Sequence, residues 1–483
     1  MGQDINNSHY KKNDFLNYQN NLKDEYSILE SWLEQQQSKN LDAHSPEHLK
    51  AGFELEAVLI DDQFSPYGVN EQFINSINQP CITSELANFN AEINTSVRKI
   101  THTVFSDFEK ELNSIWNLCK KQAEKDGHDI TIIGTLPSMK NTDLSLLNMS
   151  KNLRYQAINE QILRTRKGQA IELNIEGIDS LKSVHSDVML EAATTSFQLH
   201  LQLPLHNSVR YFNSAIVLSA PMVALGANSP FLFGKNLWCE TRIPAFEQAV
   251  QVGGYEGAAF GPIKRASFGQ GYVQHSLLEC FKENIDHFPV LLAEKFDDHP
   301  KYLKHLALHN GTVWRWNRPL VSLKEDGSYS LRLEHRVLPA GPTIVDNIAN
   351  AAFFYGVLET LAKQYKIAEQ HIPFVRAKEN FYQAAKAGLK GKIVWLDGNT
   401  ISLQKLLLNE LLPMARDGLS HLNISRTDID FYLNIIRERL EKGQNGSSWQ
   451  RLYQQQHDCN MQQLLATYIE NQNSGQAVHL WKI

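Results

Sequence analysis

The sequence predicts one mixed domain of helices and strands over about residues 51–400, preceded by a helical arm (1–50) and followed by a helical flank (401–483). Three observations carry this. Hydrophobic residues make up 42% and charged residues 21% of the 483-residue chain, close to folded globular norms, so a sizeable core can be buried. From Ala51 to Gly398, short period-two alternations of apolar and polar residues are interspersed with long helical patterns. No fixed-period repeat and no Pro-, Gly- or Ser-rich linker divides that stretch, so a single large domain accounts for it as well as two or three average ones would.

The elements follow in order. In the arm, Leu22, Tyr26, Leu29 and Leu33 recur at helical spacing within a stretch rich in Asn, Gln, Lys and Glu, which predicts a leading helix or a partly mobile segment. "GFELEAVLI" puts Phe53, Leu55, Ala57 and Leu59 on one face of a strand and Glu54 and Glu56 together on the other. In "NAEINT", Glu92 and Asn94 share a face opposite Ile93, with Glu85 seven residues earlier. "TSFQLHLQLPLH" sets Phe197, Leu199, Leu201 and Leu203 against Ser196, Gln198, His200 and Gln202. "SYSLRLEHRVLPAG" sets Leu331, Leu333, His335 and Val337 against Ser330, Arg332, Glu334 and Arg336. A helix then starts at Pro342 and Thr343 and carries apolar residues at 344, 348, 351, 355 and 358. Beyond residue 400, "LQKLLLNELLPMARDGL" and "RTDIDFYLNIIRERLEKG" read as helices.

Composition narrows the function. A net charge of −6, from 47 Lys plus Arg against 53 Asp plus Glu, gives no electrostatic footprint for nucleic acid or an anionic membrane, and favours small-molecule partners. The five scattered cysteines form no C-x-x-C pair and suggest neither a disulfide framework nor a thiolate zinc site, which fits a cytoplasmic protein. The N-terminus lacks an apolar signal core, no long apolar run suggests a membrane span, and Asn6 breaks the myristoylation pattern after Gly2. Neither a P-loop nor a Rossmann glycine pattern occurs, and G-x-S-x-G and H-E-x-x-H are absent. "ALGANSPFLFGK" offers backbone N–H groups to an anion but lacks the P-loop order. "LHNGTVWRWNRPL" packs two Trp and two Arg into five positions, consistent with an aromatic core with cation–π stacking or with a ligand contact.

The polar strand faces admit two readings. Exposed strands usually mix Lys, Thr and Ser with their acids, whereas here Glu takes paired positions; solvation nonetheless remains the simpler account of each strand alone. Carboxylates gathered from neighbouring strands would repel and raise one another's pKa unless cations sat among them. Oxygen ligands with one imidazole suit Mg²⁺ or Mn²⁺ holding phosphate oxygens, and Arg332 and Arg336 could neutralise a phosphoryl group.

These stretches, in this order, resemble the glutamate-cysteine ligase type 2 family of carboxylate-amine ligases over about residues 50–400. The points of resemblance are G-F-E-L-E at 52–56, Glu85 and Glu92 followed by Thr95, the strand carrying His200, "GANSP" at 226–230, R-L-E-H-R at 332–336 and "ENFYQAAKAGLKGKIVWLDG" at 379–398. The resemblance implies an α+β, glutamine synthetase-like fold: an antiparallel sheet curved into a funnel, flanked by helices, with the polar faces turned inward. It makes Glu54, Glu56, Glu85, Glu92, His200 and Glu334 candidates for binding more than one Mg²⁺ and orienting ATP. Arg336 becomes the candidate for phosphate contact and, with Glu334, for the catalytic pair; Arg315 and Trp314 are candidates for nucleotide or substrate. Many relatives carry a His where this chain has Gln198, a neutral side chain that can still donate to phosphate.

The implied reaction is attack of a carboxylate, with L-glutamate expected, on the γ-phosphate of ATP, followed by displacement of phosphate from the acyl phosphate by an amine such as that of cysteine. Two other classes remain open: a non-catalytic nucleotide- or metal-binding relative, and a metal-dependent phosphotransferase or hydrolase. The apolar C-terminal segment leaves room for a homo-oligomer. Glu334→Gln is expected to abolish ATP turnover at little cost to folding.

Overall fold

The computed structural model describes residues 5–38, 49–252, 263–363 and 367–483; positions 1–4 and 39–48 of the expected arm lie outside the described residues. Eight strands form one sheet: β1 (Lys50–Ile60), β2 (Ile82–Ser84), β3 (Asn90–Asn94), β4 (Arg98–Lys99), β5 (Asp129–Thr131), β6 (Phe197–Gln202), β7 (Asn317–Leu323) and β8 (Tyr329–His335). Their order is β7-β8-β6-β1-β3-β2, with β4 and β5 also pairing with the long β1, and every pairing is antiparallel. The sheet curls into a half-barrel, so the expected α+β class with a curved antiparallel sheet is the observed one.

The helices used below are α1 (Lys12–Ser38), α2 (Val104–Lys125), α3 (Leu153–Thr165), α4 (Ser208–Gly226), α5 (Arg242–Ala249), α6 (Lys304–Asn310), α7 (Ile344–Lys363), α8 (Leu412–His421) and α9 (Arg426–Lys442). The apolar faces read from the strands lie inside: Phe53, Leu55, Phe197, Leu199, Leu331 and Leu333 are buried. Phe53 packs on Phe108 of α2, Phe197 of β6 and Tyr355 of α7. Helix α7 is buried on all sides, as expected of a helix apolar all round, and its Tyr355 hydroxyl donates to the His200 carbonyl at 2.8 Å, tying the core to the polar-faced strand β6. Residues 336–343 connect β8 to α7, and the helix begins at Ile344, directly after the Pro342-Thr343 start signal.

Two further features bear on the sequence reading. The stretch Leu205–Gly226 is long and apolar enough to cross a membrane by composition, but residues 211–226 are all buried inside the protein, where α4 packs on α7. Helix α1 buries Leu22, Leu29 and Leu33, and its Glu25 meets His305 Nδ1 at 2.6 Å and accepts from Leu306 N at 2.8 Å, so the arm braces the start of α6.

Candidate active site

Directly opposed residues of an antiparallel pair point to the same face. Register therefore assembles the site: Glu54 lies opposite Gln198 and Asn94, Glu56 opposite Glu92, His200 opposite Glu334, and Glu334 opposite Arg318. These side chains line one cavity of about 820 Å³, whose lining off the sheet includes Tyr155, Glu191 and Trp314.

The site has two electrostatic halves. In the first, Arg318 forks onto Glu334, with Nε donating to Oε2 at 2.7 Å and Nη2 to Oε1 at 2.9 Å, while Arg336 Nη1 reaches Oε2 at 3.3 Å. Burial alone would raise Glu334; the two arginines and His200 outweigh it and hold the carboxyl at about 2. Glu54 is likewise pushed up by burial but drawn well below the usual carboxylate range by His200, whose Nε2 is 3.1 Å from Oε1. Arg336 also donates to Gln198 Oε1 at 2.6 Å, and Gln198 Nε2 donates to Glu56 Oε1 at 3.1 Å. An amide both accepts and donates, so Gln198 bridges arginine and carboxylate in a way an imidazolium could not.

In the second half, like charges crowd. Glu56 accepts from Ser196 N at 2.6 Å and Ser196 Oγ at 2.9 Å, Glu92 accepts from Asn94 Nδ2 at 2.8 Å and Thr83 Oγ1 at 3.1 Å, and Glu85 accepts from the Tyr155 hydroxyl at 3.3 Å. Burial raises all three carboxyls, and their mutual repulsion adds to it: Glu92 acts on Glu56, Glu54 on Glu92, and both Glu92 and Glu56 on Glu85, which lies well above the usual range.

The residues fit a divalent cation. Ligand atoms of Glu54, His200 and Glu334 all lie within 4.8 Å of one another. Among the described residues the ring nitrogens of His200 are buried without a hydrogen-bond partner, and the Nε2 contact with Glu54 is close but lacks hydrogen-bond direction. Hard carboxylate oxygens with one imidazole suit Mg²⁺ or Mn²⁺, and a cation near Glu56, Glu85 and Glu92 would offset the burial and repulsion that raise them.

Of the residues singled out from sequence, Glu54, Glu56, Glu85, Glu92, Gln198, His200, Trp314, Glu334 and Arg336 line this cavity. Arg315 does not: it is buried behind the wall, where its Nη2 meets Glu283 Oε1 at 2.6 Å and Asn284 Oδ1 at 2.8 Å. The arginine of that motif that enters the cavity is Arg318. The signal for it was only partial: Asp326-Gly327 is a turn dipeptide, but a two-residue loop there would set Pro319 opposite Glu334, and it is the observed three-residue loop, 325–327 with Gly327 at positive φ, that brings Arg318 opposite Glu334. Arg154, Tyr155, Glu191 and Arg242 also line the cavity, but they come from α3, a turn before β6, and α5, where no strand alternation marks them.

The profile of glutamate-cysteine ligase family 2 matches residues 50–467 of this chain. A protein of Solibacter usitatus (strain Ellin6076) named "Putative glutamate--cysteine ligase 2" is 24% identical over 289 residues, which span 58% of this chain and 64% of that relative, so the match takes in less than two thirds of the relative's length. Among solved structures, the fold is similar to a glutamate–cysteine ligase from Francisella tularensis in complex with AMP, with a TM-score of 0.51 and 14% identity over 90% of this chain and 95% of that one. A bifunctional glutathione synthetase from Pasteurella multocida gives a TM-score of 0.51 and 12% identity over 88% of this chain and 52% of that one. Cavity, sheet and family profile agree: this chain belongs to glutamate-cysteine ligase family 2 and carries the fold of a carboxylate-amine ligase.

Proposed function

We propose that the protein is an ATP- and Mg²⁺-dependent ligase that joins the side-chain carboxylate of L-glutamate to an amine, with cysteine the first acceptor to test. The observation that carries this is the cavity's division into a cation-ready cluster (Glu54, His200, Glu334) and an adjoining arginine pair (Arg318, Arg336). That arrangement suits holding a polyphosphate and moving its terminal phosphoryl group. Mg²⁺ when bound supplies charge neutralisation for the phosphate oxygens.

The protein's own groups do the rest. Arg336 carries a charge that its carboxylate neighbours hold in place against burial, and its reach into the cavity suits an oxygen on which negative charge builds. Gln198 fixes the Arg336 guanidinium by accepting from Nη1, and Arg318 sets the Glu334 carboxylate by its two-point grip. A glutamate carboxylate oxygen attacks the γ-phosphorus, the bridging oxygen leaves with ADP, and the resulting acyl phosphate is open to an amine. No nucleophile from the protein is required; Ser196, beside the reacting centre, already donates its hydroxyl to Glu56.

The deciding experiment is ADP release by the purified protein with Mg²⁺-ATP and L-glutamate, with and without L-cysteine and a panel of other amines. Release that requires both glutamate and one amine is the expected result. Release without an amine would favour a phosphotransferase or hydrolase instead, and ATP binding without turnover under any pairing would favour a non-catalytic relative.

A further inference from the structure

Every strand carboxylate of the cavity has a hydrogen-bond or charged partner. Glu54 faces His200, Glu334 faces Arg318 and Arg336, Glu56 faces Ser196 and Gln198, Glu92 faces Thr83 and Asn94, and Glu85, just past β2, faces Tyr155. Glu191 differs. It stands on the short 3-10 helical turn Val188–Ala193, off the sheet, and lines the same cavity as Arg336. Among the described residues no hydrogen bond or close ion pair engages its carboxylate, although the charges of Arg336 and Arg154 act on it from farther off.

We infer that Glu191 is the residue that receives the acceptor amine, binding its ammonium group and taking a proton from it; this rests on the ligase reading above. An amine reaches the enzyme largely as a cation, and a carboxylate shielded from bulk water attracts that cation more strongly than a solvated one does. The groups facing Glu191 are Arg336 and Glu56 from the sheet and Arg154 from α3. Arg242 of α5, against which the turn packs, is turned toward Glu240 and the carbonyls of Arg336 and Val337. With Arg336 beside the phosphoryl and acyl oxygens, an amine held on Glu191 sits in the same cavity as the acyl carbon it attacks.

The step balances. Glu191 accepts one ammonium proton, the freed nitrogen lone pair attacks the acyl carbon, and the C–N bond forms. The C–O bond to the phosphate breaks, the phosphate departs with that electron pair, and the second nitrogen proton leaves with it. Burial pushes the Glu191 carboxyl up to about 7, which matches a group that must be ionised to bind the amine and basic enough to keep its proton.

The test compares L-cysteine with hydroxylamine, a nucleophile uncharged at neutral pH, each with Mg²⁺-ATP and L-glutamate, following ADP release and hydroxamate formation. Where cysteine is inert, the active amine of an L-amino acid panel takes its place. Glu191→Gln should lower kcat/KM for the amine by about 100-fold or more, the ordinary contribution of a positioned base, and lower it for hydroxylamine by less than about tenfold. Glu191→Asp should recover part of the loss with the amine and change the hydroxylamine rate little. Equal losses with both nucleophiles, or full amine activity in Glu191→Gln, would overturn the assignment while leaving the ligase intact. Wild-type protein that forms neither ADP nor hydroxamate would remove the ligase reading and this role together.

Discussion

Glu334→Gln changes a charge without changing a shape, and the structure gives its size. A carboxyl held at about 2 instead of its ordinary 4.5 is stabilised in its ionised form by about 3 kcal/mol at neutral pH. Glutamine leaves Arg318 and Arg336 facing an amide that can accept from them but carries no charge. Both guanidinium groups retain some access to the cavity, at 11% and 13% exposure, so the loss falls at the lower end of what breaking a buried pair costs, about 2–3 kcal/mol. The substitution is therefore expected to cost folding more than the sequence alone suggests, because that carboxylate anchors two arginines as well as facing His200. Urea denaturation at pH 7 of wild type, Glu334→Gln, Arg318→Gln and the double variant measures the coupling, expected at about 1–3 kcal/mol. The sign with pH is determined: a lowered carboxyl stabilises the fold above its ordinary pKa and loses that contribution as pH falls toward about 2, so the wild-type advantage should shrink with acid. Additive single effects, or Glu334→Gln within about 0.5 kcal/mol of wild type at pH 7, would refute the reasoning.

The other half of the site should behave oppositely. Glu56, Glu85 and Glu92 are raised, so the folded protein binds more protons than the unfolded chain above about pH 4.5, and in metal-free buffer thermal stability should decline from pH 5 to 8 through these groups. Added Mg²⁺ should raise the Tm more at pH 8 than at pH 5; an increment that does not grow with pH would remove these carboxylates from the cation site. At the crossing of α7 and α8, a Cβ on Gly418 would collide with the Gly356 carbonyl, so Gly418→Ala should cost about 1–3 kcal/mol by overpacking, although alanine ordinarily favours a helix interior. Unchanged Tm in that variant would mean the two helices separate without penalty.

The residues that alternate along β1, β6 and β8 could be read directly from the chain. The pleat has period two, so Glu54 with Glu56, Gln198 with His200, and Arg332 with Glu334 share a face whatever the rest of the protein does. The order of those motifs was likewise enough to indicate the family. What the chain alone left open was nonlocal. Arg315 and Arg318 sit three residues apart in one motif, and only the pairing of β7 with β8 sends Arg318 to Glu334 while Arg315 turns to Glu283. Glu191, Arg154 and Tyr155 reach the cavity because a turn and a helix fold over the sheet, and no local period marks residues brought in that way. The same holds for charge: whether a glutamate is drawn down like Glu334 or pushed up like Glu85 depends on which side chains from distant segments surround it, since burial and neighbouring charge are properties of the assembled cavity.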